Sequence, residues 1–141
     1  MPGAACAGLA GTRVLVVDDV PTNLAIARSM LKRFGIQADC VASGMQAVEA
    51  MKPGNEPYGA VFMDLLMPGM DGAAATLAIR EAIGAERALA LPIIALTACE
   101  SPENEEMLQR GRFQAYLAKP LTAPMLGEAL CRWMCPLSTP S

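Results

Sequence analysis

Five short apolar runs, each followed by a stretch with helical spacing, limit this chain to very few architectures. The runs occupy residues 14–17, 36–42, 58–63, 91–96 and 113–117. Residues 14–17, Val-Leu-Val-Val, are apolar at every position, as in a strand buried on both faces. After that run Pro21 suits the first turn of a helix, and Leu24, Ala27, Leu31 and Phe34 follow at spacings of three and four, with Gly35 ending the stripe. Ser43 is placed to cap a second helix carrying Ala47, Val48 and Met51, which Pro53, Gly54 and Asn55 break. Asp71 is placed to cap a third, from Gly72 to about Ile83. Ser101-Pro102-Glu103 is a strong start for a fourth: a cap, a proline at the first helical position, and acid where the helix dipole favours it. Residues 123–134 form the last, with Leu126, Leu130 and Trp133 on one face. Strand and helix alternating five times predict a parallel sheet with helices on both sides.

The chain of 141 residues suits one domain with a sizeable core, and its 53% hydrophobic, 18% charged composition predicts a folded globule. A net charge of -3 without a dense basic run argues against nucleic acid as a partner. With no histidine, a histidine-containing zinc site is excluded. Five scattered cysteines without a Cys-x-x-Cys pair predict reduced thiols in a cytoplasmic setting, and Cys131 and Cys135, four apart, read as small half-buried hydrophobes. The longest apolar stretch, residues 88–99, is interrupted by Pro92 and falls short of the roughly 20 residues of a spanning helix, so no membrane contact is expected. Residues 1–11 lack the basic start of a signal peptide and read as a flexible leader or linker; residues 12–135 form the domain, and residues 136–141 a tail.

In parallel α/β sheets, chemistry gathers beyond the carboxyl ends of the strands. Four of the five runs end there in a polar or charged group: Asp18 and Asp19, Asp64, Thr97 and Lys119. A carboxylate at the tip of a buried strand is expensive without partners, so Asp64 demands cations. Three acids together require a metal, and oxygen ligands select Mg²⁺, with Mn²⁺ possible. Metal, ammonium and hydroxyl complement a phosphoryl group, for which a carboxylate is a competent nucleophile. Asp64, alone on the central run, is the better nucleophile; the adjacent Asp18 and Asp19 suit the metal.

These residues resemble the receiver domain of two-component response regulators. The resemblance is carried by Val16-Val17-Asp18-Asp19, by Met63-Asp64-Leu65-Leu66-Met67-Pro68-Gly69-Met70-Asp71-Gly72, by Leu96-Thr97-Ala98 and by Tyr116-Leu117-Ala118-Lys119-Pro120. It runs from about Arg13 to Trp133 and is most similar to receivers of hybrid histidine kinases and phosphorelays. It implies a single doubly wound (βα)5 domain with a five-stranded parallel sheet in the flavodoxin-like order 2-1-3-4-5. It also implies that Asp64 accepts phosphate from a histidine kinase or histidine phosphotransfer protein, and that a downstream protein reads the result. Asp18, Asp19, Asp64 and the Leu66 backbone carbonyl would hold Mg²⁺, Thr97 and Lys119 would contact the phosphoryl group, and Tyr116 would be the switch aromatic. A cis Lys119-Pro120 bond is implied as well. Leu66 and Cys99 fall at the two positions flanking the path of the hydrolytic water, where neither side chain orients water well, so slow dephosphorylation is expected. Such a protein is no enzyme beyond its own phosphorylation and dephosphorylation.

One position departs from the family. Gly111 lies five residues before Tyr116 and Arg112 takes the place where receivers commonly have glycine, so a rebuilt turn is expected before the fifth strand. The chain after the fifth helix leaves no room for an output domain, which fits a stand-alone regulator or a receiver from a longer hybrid kinase. Two rival readings remain: a haloacid-dehalogenase-type phosphohydrolase, which has Asp-x-Asp on its first strand where this chain has Asp18-Asp19, and a receiver-like binding module that works without phosphate.

Overall fold

The structure, a computed structural model, describes residues 12–52, 54, 58–98 and 101–134, with Met134 described in its backbone only. The leader at 1–11, the tail from 135, Pro53, Asn55 and Cys99 lie outside the described residues. Five parallel strands, β1 (Arg13–Val17), β2 (Gln37–Val41), β3 (Ala60–Asp64), β4 (Ile93–Thr97) and β5 (Ala115–Ala118), stand in the order β2-β1-β3-β4-β5. Among the described residues six helices join and follow them: α1 (Pro21–Arg33), α2 (Gly44–Ala50), α3 (Gly72–Ile83), α4 (Ala85–Ala90), α5 (Pro102–Gly111) and α6 (Ala123–Met134). This is the doubly wound architecture and strand order expected from the sequence.

Burial follows position in the sheet. All of β3 and β4 and four of the five residues of β1 are buried, while the edge strands β2 and β5 are partly exposed. Successive residues point to opposite faces, so the sheet separates two cores. On one face Val14, Val16, Phe62, Ile94 and Leu96 meet Ala27 and Leu31 of α1 and Leu126 and Leu130 of α6. On the other, Leu15, Val17, Val61, Met63 and Ile93 meet Ala47 of α2 and Ala75 and Ile79 of α3. Ala95 and Met107 bring α5 onto this second face. The predicted caps are present: Ser43, Asp71 and Ser101 accept from the amides of Gln46 (3.1 Å), Ala74 (2.8 Å) and Asn104 (3.1 Å).

Three expectations need correction. Helix α4 has no counterpart in the sequence reading, because it buries no residue and so leaves no apolar stripe; Leu89 is 87% exposed. Cys131 is disulfide-bonded, and not the reduced thiol expected; its partner lies outside the described residues, whereas Cys40 is free. The turn before β5 is not rebuilt: Arg112 itself takes the left-handed conformation (φ 55°, ψ 48°) that ends α5. Gly111 has a different role: a Cβ there would stand 2.5 Å from the Phe113 ring, which would have to shift. The left-handed conformation costs a side-chain-bearing residue on the order of 1–2 kcal/mol. Part of that is returned by arginine's smaller loss of backbone entropy on folding. Arg112→Gly is therefore expected to raise stability by about 1 kcal/mol in urea denaturation; a lower midpoint would mean that the turn does not strain Arg112.

Candidate functional site

The sheet register places the predicted residues. Val17 pairs with Met63, so Asp18 on the next step of β1 stands beside Asp64 at the end of β3. Asp64 pairs with Leu96, and Thr97 is one residue further; Thr97 pairs with Ala118, and Lys119 is one residue further again. All four leave their strands at the same edge of the sheet. The loop between β3 and α3 turns back tightly, the Gly72 amide donating to the Leu65 carbonyl at 2.8 Å.

Lys119 spans the site. Its Nζ lies 2.9 Å from Asp18 Oδ2 and 3.0 Å from Asp64 Oδ1. Asp18 is buried and also accepts from the Val20 amide at 2.9 Å and from Asn23 Nδ2 at 3.2 Å. One carboxylate oxygen from each of Asp18, Asp19 and Asp64 lies within 4.8 Å of the other two. Burial raises the Asp64 pKa most; the hydrogen bond from Lys119 opposes that rise and the charge of Asp18 adds to it. Burial works against the Lys119 ammonium, but its hydrogen bonds to Asp18 and Asp64 outweigh that and leave its pKa raised. A single ammonium facing three carboxylates leaves the cluster net negative. Its oxygen donors fit a hard divalent cation.

Thr97 is buried at the end of β4, and its Oγ1 accepts a hydrogen bond from Nδ2 of Asn104, also buried, at 3.1 Å. Tyr116 lies on β5 with 52% of its surface exposed. A cleft of about 350 Å³ separates them, lined by Thr97, Ser101, Asn104, Leu108 and Tyr116 among others. Leu66, two residues beyond Asp64, is 57% exposed, whereas Cys99 lies outside the described residues. The Lys119-Pro120 bond is cis. Two contributors were not legible as such in the sequence: Asn23, which orients Asp18, and Asn104, which holds Thr97. Both are polar residues of helices, where a solvated surface is the ordinary expectation. Asp71 also does more than cap α3. Burial raises its pKa, but the Ala74 amide and the Arg110 guanidinium together hold the carboxyl below the usual range. Arg110, 3.1 Å from Asp71, also pairs with Glu106 at 2.9 Å and so ties the β3–α3 loop to α5.

An acid cluster bridged by a strand-end lysine, at one edge of a five-stranded parallel sheet, suits a divalent cation and a phosphoryl group. The family model of the response regulator receiver domain matches residues 14–130, and the chain belongs to that family. It is 36% identical over 121 residues to the sensor histidine kinase GacS of Pseudomonas protegens, which covers 86% of this chain and 13% of that protein. The chain thus spans only a small part of the curated relatives it matches. Among solved structures it is similar to the receiver domain of sensor histidine kinase PA1611 from Pseudomonas aeruginosa, with a magnesium ion coordinated in its active-site cleft. There the TM-score is 0.78 and the identity 38%, covering 89% of this chain and 98% of the other. It is also similar to the co-crystal structure of the yeast histidine phosphotransfer protein Ypd1 with the receiver domain of Ssk1, at TM-score 0.77 and 27% identity, covering 93% and 94% of the two chains.

Proposed function

We propose that Asp64 is the phosphoacceptor of a phosphorelay receiver, taking a phosphoryl group from a partner phosphohistidine. The observation that carries this reading is the Lys119 ammonium held between Asp18 and Asp64 at 2.9 and 3.0 Å, at the edge where three carboxylates converge. An oxygen of Asp64 attacks phosphorus as the phosphorus–nitrogen bond breaks, and the electron pair leaves with the imidazole, which takes up a proton. Lys119 neutralises a phosphoryl oxygen, and the Thr97 hydroxyl donates to another. Asp18, Asp19, Asp64 and the backbone carbonyl of Leu66 would hold Mg²⁺, which when bound supplies charge neutralisation to acid cluster and phosphoryl oxygens alike. The same oxygen donors suit Mn²⁺. Phosphorylation then draws Thr97 toward Asp64, and Tyr116 turns into the cleft beside it, altering the surface of α5, β5 and α6 that a downstream protein reads.

The partner is a histidine kinase or histidine phosphotransfer protein; the Ypd1–Ssk1 pairing and the exposed Val20 and Ile26 near the site support this. Among the described residues no helix is long and apolar enough to cross a membrane. A cytoplasmic setting rests on the proposed phosphohistidine partner alone, since the disulfide at Cys131 does not support it. Apolar Leu66 beside the acyl phosphate supports slow hydrolysis, because water must be held in line to attack. A hydrolase reading is not favoured, since the chain belongs to the receiver family. Calorimetric titration with Mg²⁺ tests the metal assignment. Asp18→Asn with Asp19→Asn should weaken binding by about tenfold or more, the equivalent of 1.4 kcal/mol; unchanged affinity would refute the assignment.

A further inference from the structure

We infer that Asn104 is a positioning residue that holds the Thr97 hydroxyl in its resting arrangement, so that it sets how far the switch is populated without phosphate. This inference rests on the proposed function and names a control of that site. Asn104 sits on the first turn of α5, where Ser101 accepts a hydrogen bond from its backbone amide at 3.1 Å. Its position is therefore fixed independently of its side chain. The carboxamide turns inward: Asn104 is 3% exposed and Thr97 4%, and Nδ2 donates to Thr97 Oγ1 at 3.1 Å.

A hydrogen bond between two buried groups is costly to break, because no water takes its place. Movement of Thr97 toward Asp64 must stretch or exchange this bond. The bond therefore weighs on the resting side of a two-state equilibrium, and phosphate shifts that equilibrium through its stronger contacts in the other state. Asn104 and Thr97 both line the cleft into which Tyr116 turns. Loss of the bond thus favours, in the unphosphorylated protein, the same state that phosphate favours.

The test reads Tyr116 in the resting protein. The chain has two tyrosines, so 3-fluorotyrosine labelling gives two fluorine signals, and Tyr58→Phe assigns them. Broadening by a soluble paramagnetic agent reports ring exposure. Asn104→Ala and Asn104→Leu both remove the donor but differ in bulk. Each is expected to raise the inward, protected population of Tyr116 by about three- to tenfold, in the same direction. Asn104→Asp loses the Nδ2 donor, but its carboxylate can accept from the Thr97 hydroxyl, so a bond of reversed direction should hold Thr97 and keep Tyr116 close to the parent. Undiminished broadening of Tyr116 in folded Ala and Leu variants, or opposite changes that track side-chain volume, overturns the inference. Whichever of the two folds suffices. Uptake of phosphate by the parent protein, read by intact mass, tests the proposed function separately, so a failure of one is not mistaken for a failure of the other.

Discussion

Asp64→Asn is expected to take up no phosphate from either a phosphohistidine donor or a small phosphodonor, and to remain folded. The first half follows from chemistry: an amide oxygen is a poor nucleophile and cannot leave a stable acyl phosphate. The second half follows from the electrostatics of the site. In the parent, Asp64 is a buried carboxylate whose ionisation is opposed by burial and by Asp18. Removing its charge relieves that repulsion while Lys119 keeps its 2.9 Å contact to Asp18. The variant should therefore unfold at the same urea concentration as the parent or a higher one. Retained hydroxylamine-sensitive phosphate in Asp64→Asn moves the acceptor elsewhere. Loss of the fold would instead show that the Lys119–Asp64 pair is a structural necessity, and that relief of repulsion does not offset its removal.

Gly72→Ala should be among the most destabilising single-methyl changes in the domain. A Cβ at Gly72 would stand 2.3 Å from the Asp64 carbonyl oxygen and 2.9 Å from the Leu65 Cα. Both neighbours are backbone, so nothing flexible gives way. The start of α3 must move off the end of β3, and the Gly72 amide bond to Leu65 stretches with it. Overpacking of this kind costs on the order of 3 kcal/mol. In a domain of this size that corresponds to a fall in Tm of roughly 10 °C. The shift is also imposed on the residue that carries the site, so Asp64 phosphorylation should slow in the fraction that stays folded. Calorimetry with a phosphorylation time course checks both; a melting temperature within a degree or two of the parent would show that the loop absorbs the methyl.

The central strands were legible because their residues are apolar on both faces, a pattern that only a sheet covered on both sides explains. Site residues were legible for the opposite reason. Asp18, Asp64 and Lys119 are polar at the tips of such strands, and the cost of burying them singly demands that they meet. Strand boundaries slipped by one or two residues, as at β5, where Phe113 belongs to the turn and packs over Gly111. Helix α4 was not legible because it buries no residue fully; only Ala88 packs against the core, too little to leave a stripe. Asn104 was not legible because an asparagine early in a helix is ordinary, and only the packed structure turns it toward Thr97. Gly72 read only as the first residue of the helix that Asp71 caps; that the backbone of β3 passes too close for any side chain is a three-dimensional fact. The Arg112 turn shows the reverse case. The sequence marked an unusual position, but a single residue accepting an uncommon conformation costs less than rebuilding the turn.

The most direct measurement follows the parent protein through incubation with acetyl phosphate and Mg²⁺, reading intact mass, released phosphate and the site of modification. A receiver with Asp64 as its acceptor takes up a single phosphoryl group per chain, labile to hydroxylamine and mapped to Asp64. That group should form only with the divalent cation and be lost slowly after the donor is removed. Continuous release of phosphate with no retained group, modification at another residue, or no uptake by folded protein in excess Mg²⁺ would contradict it.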